Sequence, residues 1–191
     1  MQRLPHAPRA LRAHLRRGGL IAYATQAVFG LGCDPRSARG VRRLLALKRR
    51  PAHKGLIVIA DRQERLVPFH QPLTPAQQQR AQSRWPGAHT WLMPAAARVP
   101  VALRGRHRQP GQPPRMALRV DAHPDAVALC RRLKMALVST SANRAGQRPL
   151  RTTRACQRQF GERVRVIPGR VKAHCRPSTI ADLLSDQVLR T

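Results

Sequence analysis

Negative charge is scarce in this sequence. Eight Asp and Glu residues stand against 37 Lys and Arg, a formal charge of +29 over 191 residues. So few carboxylates exclude chemistry built on clustered acids, and the charge excludes a strongly basic partner. Aromatics are also few: three Phe, two Trp and one Tyr cannot build a sheet of base-stacking rings. Lysine is rare even among the cations, at Lys48, Lys54, Lys134 and Lys172 only, and the other 33 basic residues are arginines. They run from Arg3 to Arg190 without a long block, a sprinkle that reads partly as coding bias rather than as a one-faced nucleic-acid footprint. A field this positive still attracts polyphosphates, nucleotides and RNA, with a strong salt dependence.

Long apolar runs are missing. LIAYA and LIVIA are far too short to span a bilayer, and the first residues lack the apolar centre of a leader, so a cytoplasmic protein with no membrane partner is expected. Cys33, Cys130, Cys156 and Cys175 are widely spaced without a CxxC pair, which favours small buried thiols. A zinc site through His174 and Cys175 would ask two adjacent residues to reach one tetrahedral ion, with no second pair nearby. Neither HxH nor HExxH occurs, and no protein-held metal is expected. The Walker pattern GxxxxGK(S/T) is absent, as is GxSxG. Gly30 and Gly32 give only a GxG fragment, with Pro35 where a dinucleotide loop needs its third glycine.

A hydrophobic fraction of 42% suffices for a core, and the length suits one domain over residues 1–191. Leu4, Leu11 and Leu15 share a helical face that ends at Gly18-Gly19. Residues 20–24 read as a strand running into a turn-rich loop, TQAVFGLGCDP. Ser37 caps a helix carrying Val41, Leu44, Leu45 and Leu47, stopped by Pro51, and 56–60 form a buried strand. Thr74-Pro75 opens another helix. Strands follow at 89–93, 116–120 and 136–139, with a helix at 124–133 between the last two. Residues 152–160 are helical, 164–167 a strand, 179–184 a short element before Val188-Leu189. Alternating strands and helices predict an α/β fold, mixed and α+β-like, with an open twisted sheet flanked by helices. Residues 104–115, basic and rich in Pro and Gly, read as a mobile loop.

Hydroxyl-rich backbone follows two of these strands: Thr25 after LIAYA, and Ser139, Thr140, Ser141 and Asn143 after ALV. Such residues offer donors to a ligand at a strand's carboxyl end, or form a helix cap or ST-turn. Lys48, Arg49 and Arg50 end a helix, with Lys54 before the next strand. They complement the helix dipole, or they clamp a triphosphate. Arg119, alone inside MALRV, faces solvent or reaches into a ligand cleft. Trp85-Pro86-Gly87 reads as a packed tryptophan at a turn.

Taken in order, IAYATQAVFGLGCDP, LLALKRRPAHKGLIVIA, SRWPGAHTWLMPA, MALRVDAHP, LVSTSANRAG and PSTIAD resemble the YrdC/TsaC family of threonylcarbamoyl-AMP synthases along essentially the whole chain. The resemblance implies a YrdC-like fold with a concave, positively charged cleft. It further implies a nucleotidyltransferase that converts L-threonine, bicarbonate and ATP into threonylcarbamoyl-adenylate and pyrophosphate, with Mg²⁺ carried on ATP. Proteins of the threonylcarbamoyl-transfer complex would then modify tRNA next to the anticodon. By the family's KxR motif, Lys48 and Arg50 are the catalytic phosphate contacts. Lys54, Ser139, Ser141, Asn143 and Arg190 complete the ATP site, and Thr25, Arg119 and Ser178 hold threonine. The departures are Ala24 and Gln26 where the family has Pro and Glu, and WPGAHT for WPGPVT. A basic binder of double-stranded RNA or tRNA with the same fold and reduced synthesis is the alternative, favoured by Gln26 and the charge.

Overall fold

Spacing of four residues puts Leu11 and Leu15 on one face of α1 (Pro8–Arg16), where both are fully buried. The computed structural model describes residues 7–105, 113–171 and 178–190. β1 (Ile21–Ala24) and β2 (Phe29–Gly32) then pair antiparallel. Ser37 accepts the Gly40 N–H and starts α2 (Ala38–Lys48). The Ser37→Ala variant should lose about 1 kcal/mol of stability in a urea titration with an unchanged m-value.

β3 (Ile57–Ala60) precedes α3 (Pro75–Arg84), where Thr74 and Gln77 form a reciprocal capping box. β4 (His89–Pro94), α4 (Val101–Arg104), β5 (Arg115–Val120), α5 (Pro124–Leu133) and β6 (Leu137–Ser141) follow. The chain continues with α6 (Thr153–Phe160), β7 (Arg165–Val166), β8 (Thr179–Asp182) and β9 (Val188–Arg190).

The strands form one mixed sheet in the order β7-β1-β2-β6-β3-β5-β4-β8-β9. Alternation along β1, β3 and β6 serves two cores. Ile21, Tyr23 and Ile59 face the smaller cluster under α1 and α5, whereas Ala22, Ala24, Val58 and Ala60 face the larger one on the other side. Cys33, Cys130 and Cys156 lie inside these cores, and burial pushes all three thiols up, away from reactivity at neutral pH.

β6 holds the sheet together by changing partners. Leu137, Val138 and Ser139 pair with β3, whereas Thr140 and Ser141 pair with β2. The expected turn-rich loop after β1 contains β2 instead: its Phe29 and Leu31 are fully buried and draw the segment into the sheet. Residues 106–112 of the expected mobile loop, Leu4, and the His174–Cys175 pair fall outside the described residues. Among the described residues, no helix is long and apolar enough to cross a membrane.

Candidate active site

Where β6 changes partners, a cavity of about 650 Å³ opens. Thr25, Gln26 and Gly30 reach it from the β1–β2 hairpin, Arg50 and Lys54 from the segment after α2, and Ser139, Thr140 and Ser141 from β6. Arg119 of β5, Arg104 at the end of α4, Ser178, and Leu189 and Arg190 of β9 close the wall. Five cations line the cavity and, among the described residues, no carboxylate does.

The local chain path explains the arrangement. Arg49 adopts a left-handed conformation and ends α2, turning Arg50 back across the following segment. Arg50 Nε donates to the Gly55 carbonyl at 3.2 Å and its Nη2 to the Lys54 carbonyl at 3.2 Å. Gly55 itself has φ +61, and a Cβ there would meet the Arg104 carbonyl oxygen at 2.8 Å, so only glycine permits this close crossing. At Gly30 a Cβ would press on the Thr25 methyl at 3.0 Å and stand 3.5 Å from the Ser139 hydroxyl. Its absence leaves Thr25 and Ser139 facing one space.

Lys48 is 4% exposed and lies beneath the cavity rather than on its wall. Its ammonium donates to the Ser141 carbonyl, to the Asn143 carbonyl at 2.8 Å and to Asn143 Oδ1 at 3.2 Å. Three acceptors match its three protons, so the end of α2 is fastened to the turn after β6. Burial, then the charge of Arg50, pull the Lys48 amine down to about 8. Ser141 Oγ donates to Asn143 Oδ1 at 2.6 Å, and Asn143 Nδ2 donates to the Gln147 carbonyl at 2.6 Å. The Ser141 oxygen keeps its lone pairs available, as does Thr25 Oγ1, which donates to the Val28 carbonyl at 2.6 Å.

Positive charge extends from the phosphate-clamp candidates to the far wall. Burial, then neighbouring Arg190, pull Arg50 down; burial, then Arg119, pull Arg190 down. Arg190 Nη2 donates to the Ser178 carbonyl at 2.9 Å, and the Ser178 and Thr90 hydroxyls lie 3.0 Å apart. Arg119 pairs through Nη2 with Asp121, which is 3% exposed and also accepts the His123 N–H at 2.8 Å. Arg119 Nε is buried without an acceptor. One carboxylate therefore fixes the guanidinium while leaving donors unused.

Of the sequence candidates, Thr25, Arg50, Lys54, Arg119, Ser139, Ser141, Ser178 and Arg190 share the cavity wall; Lys48 and Asn143 form its support. The STSAN segment is strand as far as Ser141, not a helix cap. Arg119 is 9% exposed and faces the cavity rather than solvent. Trp85 is packed at its turn, with Nε1 donating to the His89 carbonyl at 2.8 Å. Arg104 was not among the candidates; its position as the first cation of a Pro/Gly-rich basic segment was the available signal.

A family model for the Sua5, YciO and YrdC proteins, described as "Telomere recombination", matches residues 13–191. The threonylcarbamoyl-AMP synthase of Methylobacillus flagellatus is 52% identical over 182 residues, covering 95% of this chain and 98% of that protein. The threonylcarbamoyl-AMP synthase of Chromobacterium violaceum is 54% identical over 179 residues, covering 94% and 90%. Among solved structures, P. abyssi Sua5 complexed with L-threonine matches with a TM-score of 0.80 and 24% identity over 95% of this chain and 52% of that one. This chain thus spans about half the length of that Sua5. E. coli YciO matches with a TM-score of 0.77 and 20% identity, covering 96% and 87%. At such identities the two structures speak for the fold.

Proposed function

The chain belongs to the Sua5/YciO/YrdC family, and we infer from that premise how its cavity does the work its relatives are named for. It is a nucleotidyltransferase that makes threonylcarbamoyl-AMP and pyrophosphate from L-threonine, bicarbonate and ATP. The threonine amine captures the carbon of bicarbonate with loss of water, giving a carbamate. A carbamate oxygen attacks the α-phosphorus of ATP, and the bond to the bridging oxygen breaks to release pyrophosphate. Two anions must approach each other in this step. A wall with five cations and, among the described residues, no carboxylate offsets that repulsion and stabilises the leaving group. This observation carries the reading.

Roles follow from position. Arg50 and Lys54 take the phosphate oxygens, with Arg190 continuing the positive wall. Ser139 and Ser141 hydrogen-bond the nucleotide, on a strand end that Lys48 and Asn143 keep in place. Arg119 offers its unused donors to the threonine carboxylate, while the Thr25 oxygen accepts from threonine and Ser178 borders the same end. Among the described residues, no carboxylate on the wall is available to cage Mg²⁺; an ion arriving with ATP would be held by phosphate oxygens, and no step here depends on it. The product then serves tRNA modification in the cytoplasm, handed on by partner proteins, with residues 1–191 acting as one domain.

Incubating the purified chain with all three substrates should yield threonylcarbamoyl-adenylate by mass spectrometry, together with one pyrophosphate per adduct. Omitting threonine or bicarbonate should abolish both. Pyrophosphate release that ignores either omission would overturn the reading.

A further inference from the structure

A second concavity, of about 310 Å³, lies at the opposite ends of β2, β3 and β6 from the synthase cavity. Arg12 and Arg16 of α1, Arg36 before α2, Arg62 and Arg65 after β3, and Lys134 after α5 line it. Among the described residues, only Asp34 and Glu64 oppose these six cations, and both are engaged within the rim. Asp34 Oδ1 accepts the Arg36 backbone N–H at 2.9 Å. Glu64 stands 3.7 Å from Arg62 with both side chains exposed, and Arg65 is paired with Asp61 at 2.5 Å.

The two α1 arginines line the concavity together. They sit at i and i+4, where like charges repel. Arg12 Nε is buried and has no acceptor, so a charged donor has been stripped of water without replacement. Phe69, Pro68 and Met135 form apolar wall beside them, and low-dielectric surroundings strengthen the field in a concavity. The sprinkled arginines elsewhere explain net charge; they do not explain a guanidinium Nε buried without an acceptor in a cationic hollow.

We propose that this concavity binds a phosphate oxyanion, separately from the synthase site. Arg12 and Arg16 supply forked donors and Lys134 a point charge. Free pyrophosphate and the backbone of a nucleic acid present the same chemistry.

Equilibrium dialysis of labelled pyrophosphate against the full chain tests the proposal. Arg50→Ala/Lys54→Ala masks the synthase cavity without adding a competing polyphosphate. The otherwise wild-type chain should retain one pyrophosphate site under that mask, and adding Arg12→Gln/Arg16→Gln should weaken it at least ~10-fold, whereas that double variant without the mask leaves the synthase rate unchanged. Lys134→Gln, at an exposed position that does not threaten folding, should weaken it a few-fold. A second arm measures a 20-base-pair RNA duplex against salt. If the backbone is the natural source, the double variant lowers the slope of log K on log salt by about two. If the free anion is the source, that slope stays and only the masked pyrophosphate site is lost. A masked site that survives all three substitutions overturns the proposal. So does its absence from the wild type combined with an RNA slope that the double variant does not move.

Discussion

Replacing Lys48 with alanine should lower kcat/KM for threonylcarbamoyl-AMP formation by about 100-fold, or about 2.7 kcal/mol of transition-state stabilisation. The reason is positional as much as electrostatic. Lys48 makes three hydrogen bonds to the Ser141–Asn143 turn, and a small misplacement of aligned groups costs about this much. Its protonation gives a second readout. The folded amine titrates at about 8 instead of its ordinary 10.5, so the charge and the third donor are present below pH 8 and are lost as pH rises through it. Activity should therefore show an alkaline limb near pH 8. Stability moves the other way: over the same window the unfolded chain binds more protons, so this group's contribution to stability grows with pH. A structural defect alone would not produce opposite slopes. Lys48→Arg should recover most of the rate and shift the limb beyond pH 10. A wild-type rate in the alanine variant, or a limb that persists with arginine, would refute the assignment.

The second large effect concerns Arg119. Arg119→Lys keeps the charge but loses the planar fork, and the KM for threonine should rise about 10- to 100-fold, in line with a charge-assisted bidentate contact. The KM for ATP should stay within about twofold, because the proposed phosphate contacts lie on Arg50 and Lys54. Arg119→Ala should add a stability loss of about 3 kcal/mol, since Asp121 is buried and would lose its cationic partner. Initial-rate kinetics and urea titration separate the two consequences. Equal rises in both Michaelis constants would place Arg119 outside the threonine end of the cavity.

Local chemistry was legible in the sequence wherever it is encoded by neighbours. The caps at Ser37 and Thr74 satisfy backbone donors three residues away, and the helix at Pro124–Leu133 follows its apolar spacing. The Arg119–Asp121 pair was also within reach, since residues two apart on a strand share a face. β2 was not. Its FGLG sequence carries two glycines that suggest a turn, yet close packing demands one of them: a Cβ at Gly32 would sit 2.5 Å from the Val138 carbonyl oxygen. The support role of Lys48 was equally hidden, because its acceptors lie 93 and 95 residues along the chain. Family motifs single out the residue, and its hydrogen bonds to the Ser141–Asn143 turn emerge only in the folded chain.

The partner exchange along β6 has a mechanical consequence. Strands on its one side and its other are joined through the β6 ladder, of which Ser139, Thr140 and Ser141 form the carboxyl half, so a rocking of the two half-sheets twists the peptide units that bear these hydroxyls. Opening the cleft and displacing the hydroxyls proposed to contact the nucleotide are then a single motion.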